Sequence, residues 1–300
     1  MNNIIKPQYY DYSALKKALR ALCDEYSFLI PATIGMSCAG RDINTLRLGK
    51  AEEYALITAA FHGSEHLTTT VLLMFIEELC RAVKNNDSIA GFNARKALFG
   101  RGVIFIPRVN PDGCEISLHG ALGCGALAKK IARLCGGDFE HWNANLRGVD
   151  INHNFDAGWE QLRERERSAG IYGPAPTRFG GYRPESEPET VALTELCRRG
   201  RIQHIVALHS QGEVIYWTYG DKRPPRSERM AELLATSSCY ALDSATGIAE
   251  GGGFKDWFIS EMGRPGFTVE LGLGENPLPD SQAEPIYERV REMLTLASIM

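Results

Sequence analysis

The chain has 300 residues, of which 44% are apolar and 23% charged, and 33 basic against 37 acidic side chains give a formal net charge of −4. This composition is typical of a folded globular protein and excludes a disordered, collagen-like or coiled-coil chain as a whole. The slight acidic excess disfavours a general nucleic-acid-binding protein, so we expect no nucleic-acid partner.

The first sixty residues predict a helix, a hairpin and a buried strand. Apolar residues recur every three or four positions from Tyr12 to Tyr26, which is the period of an amphipathic helix. Residues 32–37 and 44–48 are strand-like segments around a glycine-containing turn, and they predict a hairpin. Tyr54–Phe61 is a continuous apolar run, which predicts a strand buried on both faces.

The middle of the chain mixes clear elements with long segments of weak periodicity. A helix is predicted over Leu67–Val83 and a second buried strand over Val103–Ile106. Segments 110–150 and 156–185 contain many glycines or prolines, and we expect long loops there, which are often functional.

Helix and strand patterns alternate again in the last third. Ser186 predicts a helix cap, with Pro188 in the first turn and Glu189 reaching back to the cap. The remaining predicted elements are strands over 205–208, 214–218 and 267–271 and helices over 226–238 and 283–298. Because strands alternate with helices and no linker or repeat divides the chain, we expect one α/β domain over residues 1–300. Its mixed sheet would be covered by helices on both faces.

Apolar runs and cysteines bear on the compartment. The longest apolar runs, Tyr54–Phe61 and Val71–Ile76, are far shorter than the roughly 20 residues that cross a bilayer, so we expect no membrane partner. The N-terminus shows no secretory signal. The eight cysteines form no C-x-x-C pair, which disfavours a cysteine zinc site. We therefore expect reduced thiols and a cytoplasmic protein.

A metal site is predicted where two apolar strands end. His62 and Glu65 form a His-x-x-Glu pair directly after the first of these strands, and His209 ends the apolar run 205–208. In open α/β sheets ligands gather at the carboxyl ends of strands, so these three side chains can meet. Two histidines and one glutamate are a known ligand set for catalytic zinc, which keeps a fourth position open for water.

Two further residues bear on this site. His66 forms an H-x₃-H pair with His62, the spacing of the zincins, but the glutamate is not in the H-E-x-x-H position; this alternative stays open. Glu270 ends a third apolar run, 266–269, and a carboxylate there can take a proton from zinc-bound water. A surface glutamate after an edge strand is the other interpretation.

The ordered motifs of the chain resemble those of the zinc metallocarboxypeptidase family, of which carboxypeptidase A is the familiar member. The matching segments are H-G-S-E (62–65), N-P-D-G (110–113), G-V-D-I-N-H-N-F (148–155), S-E-P-E-T (186–190), His209, D-W (256–257) and V-E (269–270). The resemblance implies a single α/β/α domain with an eight-stranded mixed sheet. It also implies one zinc ion on His62, Glu65 and His209, with Glu270 as the general base.

Within that family the chain looks most like the branch that cleaves the γ-D-glutamyl-meso-diaminopimelate bond of peptidoglycan peptides. The stretches that carry this likeness are HSQGEVIYW (209–217) and GGGFKDWF (251–258). The likeness implies a small muropeptide substrate, whose carboxylates and amino group need cations and amides, here Lys255 and Gln211. A solvated surface lysine is the alternative for Lys255, and Tyr216 and Trp217 fit either a pocket wall or the core.

The chain departs from the family where a substrate carboxylate is usually held. The family's N-R-N is Asn152-His153-Asn154 here, and a neutral imidazole cannot supply the two-pronged hydrogen bond of a guanidinium. We expect Asn152 and His153 to bind substrate nevertheless. No tyrosine occupies residues 246–250, where the family has one that closes over the substrate.

Two supporting roles remain to be assigned from the sequence. For the cation that stabilises the tetrahedral oxyanion we choose Arg147, with Arg108 as second candidate and a structural ion pair as its alternative. Asp150 is the candidate carboxylate that orients His62.

Three classes of function compete. The first is a zinc peptidase that hydrolyses γ-D-glutamyl-meso-diaminopimelate bonds through zinc-bound water activated by Glu270, or a carboxypeptidase of other specificity. The second is a zinc acylase of the succinylglutamate desuccinylase or aspartoacylase type, against which the NPDG and SEPET stretches argue. The third is a non-catalytic binder of wall fragments, which would normally have lost a ligand or the base.

Overall fold

Eight strands build one mixed sheet in the computed structural model, which describes residues 3–300. The strands of the chain are β1 (Ile30–Met36), β2 (Asp42–Gly49), β3 (Tyr54–Ala59), β4 (Ser88–Ile89), β5 (Phe92–Asn93), β6 (Gly102–Ile106), β7 (Ile202–His209), β8 (Val214–Tyr216), β9 (Ala241–Asp243) and β10 (Gly266–Glu270). β4 and β5 pair only with each other, and the rest form a sheet in the order β1-β2-β6-β3-β7-β10-β8-β9. The four central strands β6, β3, β7 and β10 are parallel, which confirms the expected mixed sheet.

Ten helices accompany the strands within residues 3–300. They are α1 (Tyr12–Glu25), α2 (Leu67–Asn85), α3 (Ala94–Ala97), α4 (Pro111–His119), α5 (Ala128–Leu134), α6 (Trp159–Ser168), α7 (Pro188–Arg199), α8 (Ser227–Ser238), α9 (Phe254–Trp257) and α10 (Ala283–Ile299). Among these residues no helix is both long and apolar enough to cross a bilayer.

Helices cover both faces of the sheet because successive side chains of its central strands point to opposite sides. In β3, Leu56 packs in a cluster with α7 and α9, whereas Ile57 packs in the cluster built by α1, α2, α8 and α10. Both side chains are fully buried. A strand covered on both sides needs apolar residues at every position, which explains the continuous apolar run from which it was predicted.

The segments expected to be loops contain three helices. α4 and α5 lie within 110–150, and α6 lies within 156–185. The buried residues of α6 are Leu162, Arg163 and Glu166, two of which are charged. An apolar period cannot reveal a helix whose buried face is mostly polar, which is why this prediction was wrong.

The helix predicted to start near Ser186 is present, but the predicted cap is wrong. Glu187 precedes α7 without capping it through its side chain, and Ser186 Oγ donates to the Glu187 carboxylate at 2.8 Å. Glu189 instead accepts hydrogen bonds from the backbone N–H of Cys38 (3.1 Å) and from Asn145 Nδ2 (3.2 Å). It thereby ties α7 to the turn after β1, and burial raises the pKa of Glu189 to about 7.

Candidate metal centre and active site

Three chain segments deliver polar groups to one edge of the sheet. β7 and β10 are parallel neighbours, and their register places His209 opposite Glu270. β3 lies on the other side of β7, with Ala59 opposite Leu208, and the chain then runs on to His62. The carboxyl ends of adjacent parallel strands therefore bring these groups together.

His62 precedes a tight 3₁₀ turn, Gly63–Glu65, and Glu65 is the last residue of that turn. A Cβ atom at position 63 would lie 2.4 Å from the carbonyl oxygens of both Gly113 and Trp142, so only glycine fits there. This close approach fixes the turn against the neighbouring backbone and sets the directions of the two side chains.

His62, Glu65 and His209 present ligand atoms that all lie within 4.8 Å of one another. His62 Nδ1 lies 2.8 Å from Glu65 Oε1, and His209 Nδ1 lies 3.0 Å from Glu65 Oε2. The His209 ring stacks on Phe61 at 5.0 Å. Burial raises the pKa of Glu65, but the two histidines outweigh it and lower that pKa to about 2. Two imidazole nitrogens and an ionised carboxylate around one point fit a zinc ion with an open position.

Asp150 lies behind His62. Its Oδ1 is 3.1 Å from His62 Nε2, and its Oδ2 accepts a hydrogen bond from the backbone N–H of Arg178 at 2.8 Å. Burial opposes the charged form of both groups, but the charge of His62 lowers the pKa of Asp150, and Glu65 together with Asp150 raises the pKa of His62 well above its usual value. A carboxylate on the remote nitrogen of a ligand histidine is the usual means of orienting the ring.

Glu270 is half-buried and lines the same cavity as His62 and His209. Burial, with the nearby Glu65 carboxylate, raises the pKa of Glu270 well above its usual value, and His62 opposes the shift. A carboxylate of increased basicity beside the candidate metal centre is suited to accept a proton from water.

A cavity of about 150 Å³ opens beside the metal cluster. The residues of its wall other than the two histidine ligands include Asn152, His153, Tyr216, Lys255, Asp256, Thr268 and Glu270. Tyr216 is thus a wall residue, whereas Trp217 packs against the hydrophobic core.

Lys255 is buried in this wall as one half of an ion pair. Its Nζ contacts Asp256 Oδ1 and donates to the carbonyl of Thr218, and each side chain of the pair is at most 5% exposed. The other Asp256 oxygen accepts a hydrogen bond from the Gly251 N–H at 2.8 Å. Lys255 is therefore not a solvated surface lysine, and the wall presents a positive and a negative group together.

Asn152 and His153 form another part of the wall. Asn152 Oδ1 accepts a hydrogen bond from the Phe254 N–H at 2.9 Å, which leaves Nδ2 as a donor. His153 Nδ1 lies 2.8 Å from Glu166 Oε1. Burial lowers the pKa of His153 despite the opposing charge of Asp150.

Two expected site residues lie outside the cavity lining. The Arg147 side chain is 55% exposed, lies 3.5 Å from Glu187 and does not line the cavity; its role as the cation for the oxyanion stays a prediction. Gln211 is exposed on the turn after β7 and does not line the cavity.

The sequence alternatives at His66 and Arg108 also lie elsewhere. His66 is outside the metal cluster, its ring packs edge-on against Tyr9 at 4.2 Å, and burial, with the charge of Arg108, lowers its pKa to about 3. Arg108 is 2% exposed, donates to the carbonyl of Tyr10, and forms no ion pair within residues 3–300. Its Nε and Nη1 groups have no hydrogen-bond partner among those residues.

Sequence analysis missed two carboxylates of this region. Glu166 lies on α6, where a loop was expected, and no apolar pattern marks it. Asp256 was matched only as part of the D-W motif, and its adjacency to Lys255 in the sequence was the available signal for a pair.

The chain is similar to several known proteins. A family model described as zinc carboxypeptidase matches residues 15–293. The chain is 35% identical over 284 residues to gamma-D-glutamyl-L-diamino acid endopeptidase 1 of Lysinibacillus sphaericus, a match that covers 94% of this chain and 70% of that protein. It is 26% identical over 211 residues to murein peptide amidase A of Escherichia coli (strain K12), covering 69% of this chain and 66% of that one. The structure of bovine thrombin-activatable fibrinolysis inhibitor is similar with a TM-score of 0.75 and 20% identity over 97% of both chains, which shows a shared fold.

Proposed function

The chain belongs to the zinc carboxypeptidase family and is a zinc metallopeptidase; from this premise we propose that it hydrolyses the γ-D-glutamyl-meso-diaminopimelate amide bond of peptidoglycan-derived peptides. The observation that carries the proposal is the buried Lys255–Asp256 pair in the wall of the cavity that also contains the candidate metal ligands and Glu270. Membership of a peptidase family leaves the acylase alternative without a supporting observation.

In the proposed site, His62, Glu65 and His209 would hold one zinc ion. When bound, zinc lowers the pKa of a water molecule to roughly 7 and polarises the scissile carbonyl. Asp150 holds the His62 ring in the orientation that directs Nδ1 toward Glu65. Glu270 accepts a proton from the attacking water and passes it to the nitrogen of the leaving amine.

The Lys255–Asp256 pair is complementary to the far end of diaminopimelate. That end carries an ammonium and a carboxylate on one carbon, and the pair offers a carboxylate and an ammonium side by side. When the substrate binds, each protein charge can pair with the opposite charge of the substrate, so that all four charged groups have a partner within the cavity. We therefore assign Asp256 to the substrate ammonium and Lys255 to the substrate carboxylate.

The pairing changes the energetic argument for selectivity. An unpaired buried cation would reject an apolar side chain at a cost of several kcal/mol. Lys255 already has Asp256 and a backbone carbonyl as partners. A substrate with an apolar side chain therefore leaves Lys255 paired and lacks only the contacts that diaminopimelate would add. Selectivity for diaminopimelate is thus expected to come from gained hydrogen bonds to charged groups.

Product identification tests the proposal. Zinc-loaded protein is incubated with the tripeptide L-Ala-γ-D-Glu-meso-diaminopimelate and with its tetra- and pentapeptide forms, and products are identified by mass spectrometry. Release of L-Ala-D-Glu from any of them supports the assignment. The Glu270→Gln variant is the matched control, since it keeps the cavity but removes the proton acceptor. Hydrolysis of C-terminal apolar residues with no cleavage at the γ-glutamyl bond would overturn it.

A further inference from the structure

A buried ionic network lies behind His153. Its Nδ1 is 2.8 Å from Glu166 Oε1, and Glu166 is completely buried. The other Glu166 oxygen contacts Arg163 and accepts a hydrogen bond from the Gly180 N–H at 3.2 Å. Arg163 is 3% exposed and lies with its guanidinium 4.6 Å from the centre of the Phe179 ring.

Stability alone does not account for this network. A buried set of charges is often no more stable than well-packed apolar residues of similar volume, because each charge loses its hydration. Here α6 carries Arg163 and Glu166 into the interior, and Glu166 hydrogen-bonds to His153, which lines the cavity.

We propose that Glu166 is a positioning residue that fixes the tautomer and the orientation of His153. With Nδ1–H donating to Glu166, the lone pair of the neutral ring is on Nε2, which has no partner among residues 3–300 and is free to accept a hydrogen bond in the cavity. Arg163 and the Gly180 N–H keep the Glu166 carboxylate in place.

The consequence is a defined hydrogen-bonding pattern at this end of the cavity. Asn152 contributes a donor, Nδ2, because its oxygen is occupied by the Phe254 N–H. His153 contributes an acceptor, Nε2. A guanidinium at position 153 would offer donors only, so the Glu166-held imidazole recognises a different arrangement of substrate groups. Recognition by His153 rests on the proposed function only for the identity of the substrate.

Nitrogen NMR of the zinc-loaded protein tests the assignment without substrate. The chain has seven histidines, so ¹⁵N-histidine spectra are tractable, and His153→Asn identifies the signals of His153. We expect a protonated Nδ1 and an unprotonated Nε2 in the wild type. In Glu166→Gln the amide NH₂ can donate to Nδ1, and the proton should move to Nε2. Glu164→Gln, an exposed change on the same helix, should leave the spectrum unchanged.

Kinetics provide the second readout. The reversed hydrogen-bond polarity in Glu166→Gln should raise KM about tenfold, the value of one mismatched hydrogen bond, with kcat within about twofold of wild type. If Glu166→Gln does not fold, the double variant Arg163→Met with Glu166→Gln, which buries no unpaired charge, takes its place. A wild-type His153 protonated on Nε2, or a tautomer unaltered by loss of the Glu166 charge, overturns the proposal. Failure of wild type to cleave the γ-glutamyl peptide would refute the proposed function and leave the tautomer result standing.

Discussion

Replacement of Lys255 by methionine tests the source of selectivity most directly. Methionine keeps most of the side-chain length and removes the charge. The substrate carboxylate then loses one charge-assisted hydrogen bond, worth about 1.5–3 kcal/mol, which corresponds to roughly a 10–150-fold loss in kcat/KM. A peptide with lysine in place of diaminopimelate lacks that carboxylate and should lose little. The preference of wild type for diaminopimelate over lysine should therefore nearly vanish in Lys255→Met.

The assay compares kcat/KM for the two peptides in each variant, so that differences in active protein cancel in the ratio. Lys255→Met leaves Asp256 buried with the Gly251 N–H as its remaining partner, and breaking a buried pair costs about 3–5 kcal/mol of stability. The double variant Lys255→Met with Asp256→Asn leaves no unpaired buried carboxylate and serves as the control for this loss of stability. If the diaminopimelate preference persists in Lys255→Met, the carboxylate is held elsewhere and the reasoning is refuted.

Four further outcomes follow from the site and the core. His209→Ala should lose zinc on dialysis, as measured by atomic absorption; full retention of zinc would contradict the ligand set. Glu270→Gln should keep zinc while kcat falls by about 10²–10⁴-fold, and activity close to wild type would remove it from the mechanism. Because burial raises the pKa of Glu189 from 4.5 to about 7, the folded state binds a proton more tightly than the unfolded state, and about 3 kcal/mol of stability present below pH 4.5 should be lost as the pH rises through 7. Urea denaturation should show that the free energy of unfolding decreases less from pH 5 to pH 8 in Glu189→Gln than in wild type. Equal decreases in the two proteins would contradict this. Arg108→Met should raise the melting temperature, since it removes a buried cation without an ion pair, and a lower melting temperature would show that its contacts outweigh its desolvation.

The parts of the site that could be predicted from sequence are those tied to strand ends. A strand buried on both faces reveals itself as an unbroken apolar run, and the polar residue that ends the run must lie at the sheet edge. His62, His209 and Glu270 were all located in this way, and the register of β7 with β10 places the last two opposite each other. The end of an apolar run in the sequence therefore locates a residue at the carboxyl end of a strand in the fold.

Residues outside the sheet could not be located by the same means. Arg147 was chosen for its position in a motif, yet its side chain lies beside Glu187. In a turn the direction of a side chain is set by local contacts and cannot be predicted from the sequence pattern. Glu166 lies on a helix whose buried face is polar, so the helix itself was missed. The sequence shows that Lys255 is charged, but it does not show that the charge is already paired with Asp256.

The pairing of His209 with Glu270 across two hydrogen-bonded strands also bears on how such a protein can acquire new specificities. Neighbouring strands hold their backbones about 4.8 Å apart, and a shift of one residue would turn Glu270 to the opposite face, so the hydrolytic groups tolerate almost no drift. Lys255 and Asp256 lie on the four-residue helix α9, and Asn152 and His153 lie on a single 3₁₀ turn. Exchange of these short segments between relatives should therefore change the substrate specificity and leave the hydrolytic mechanism unchanged.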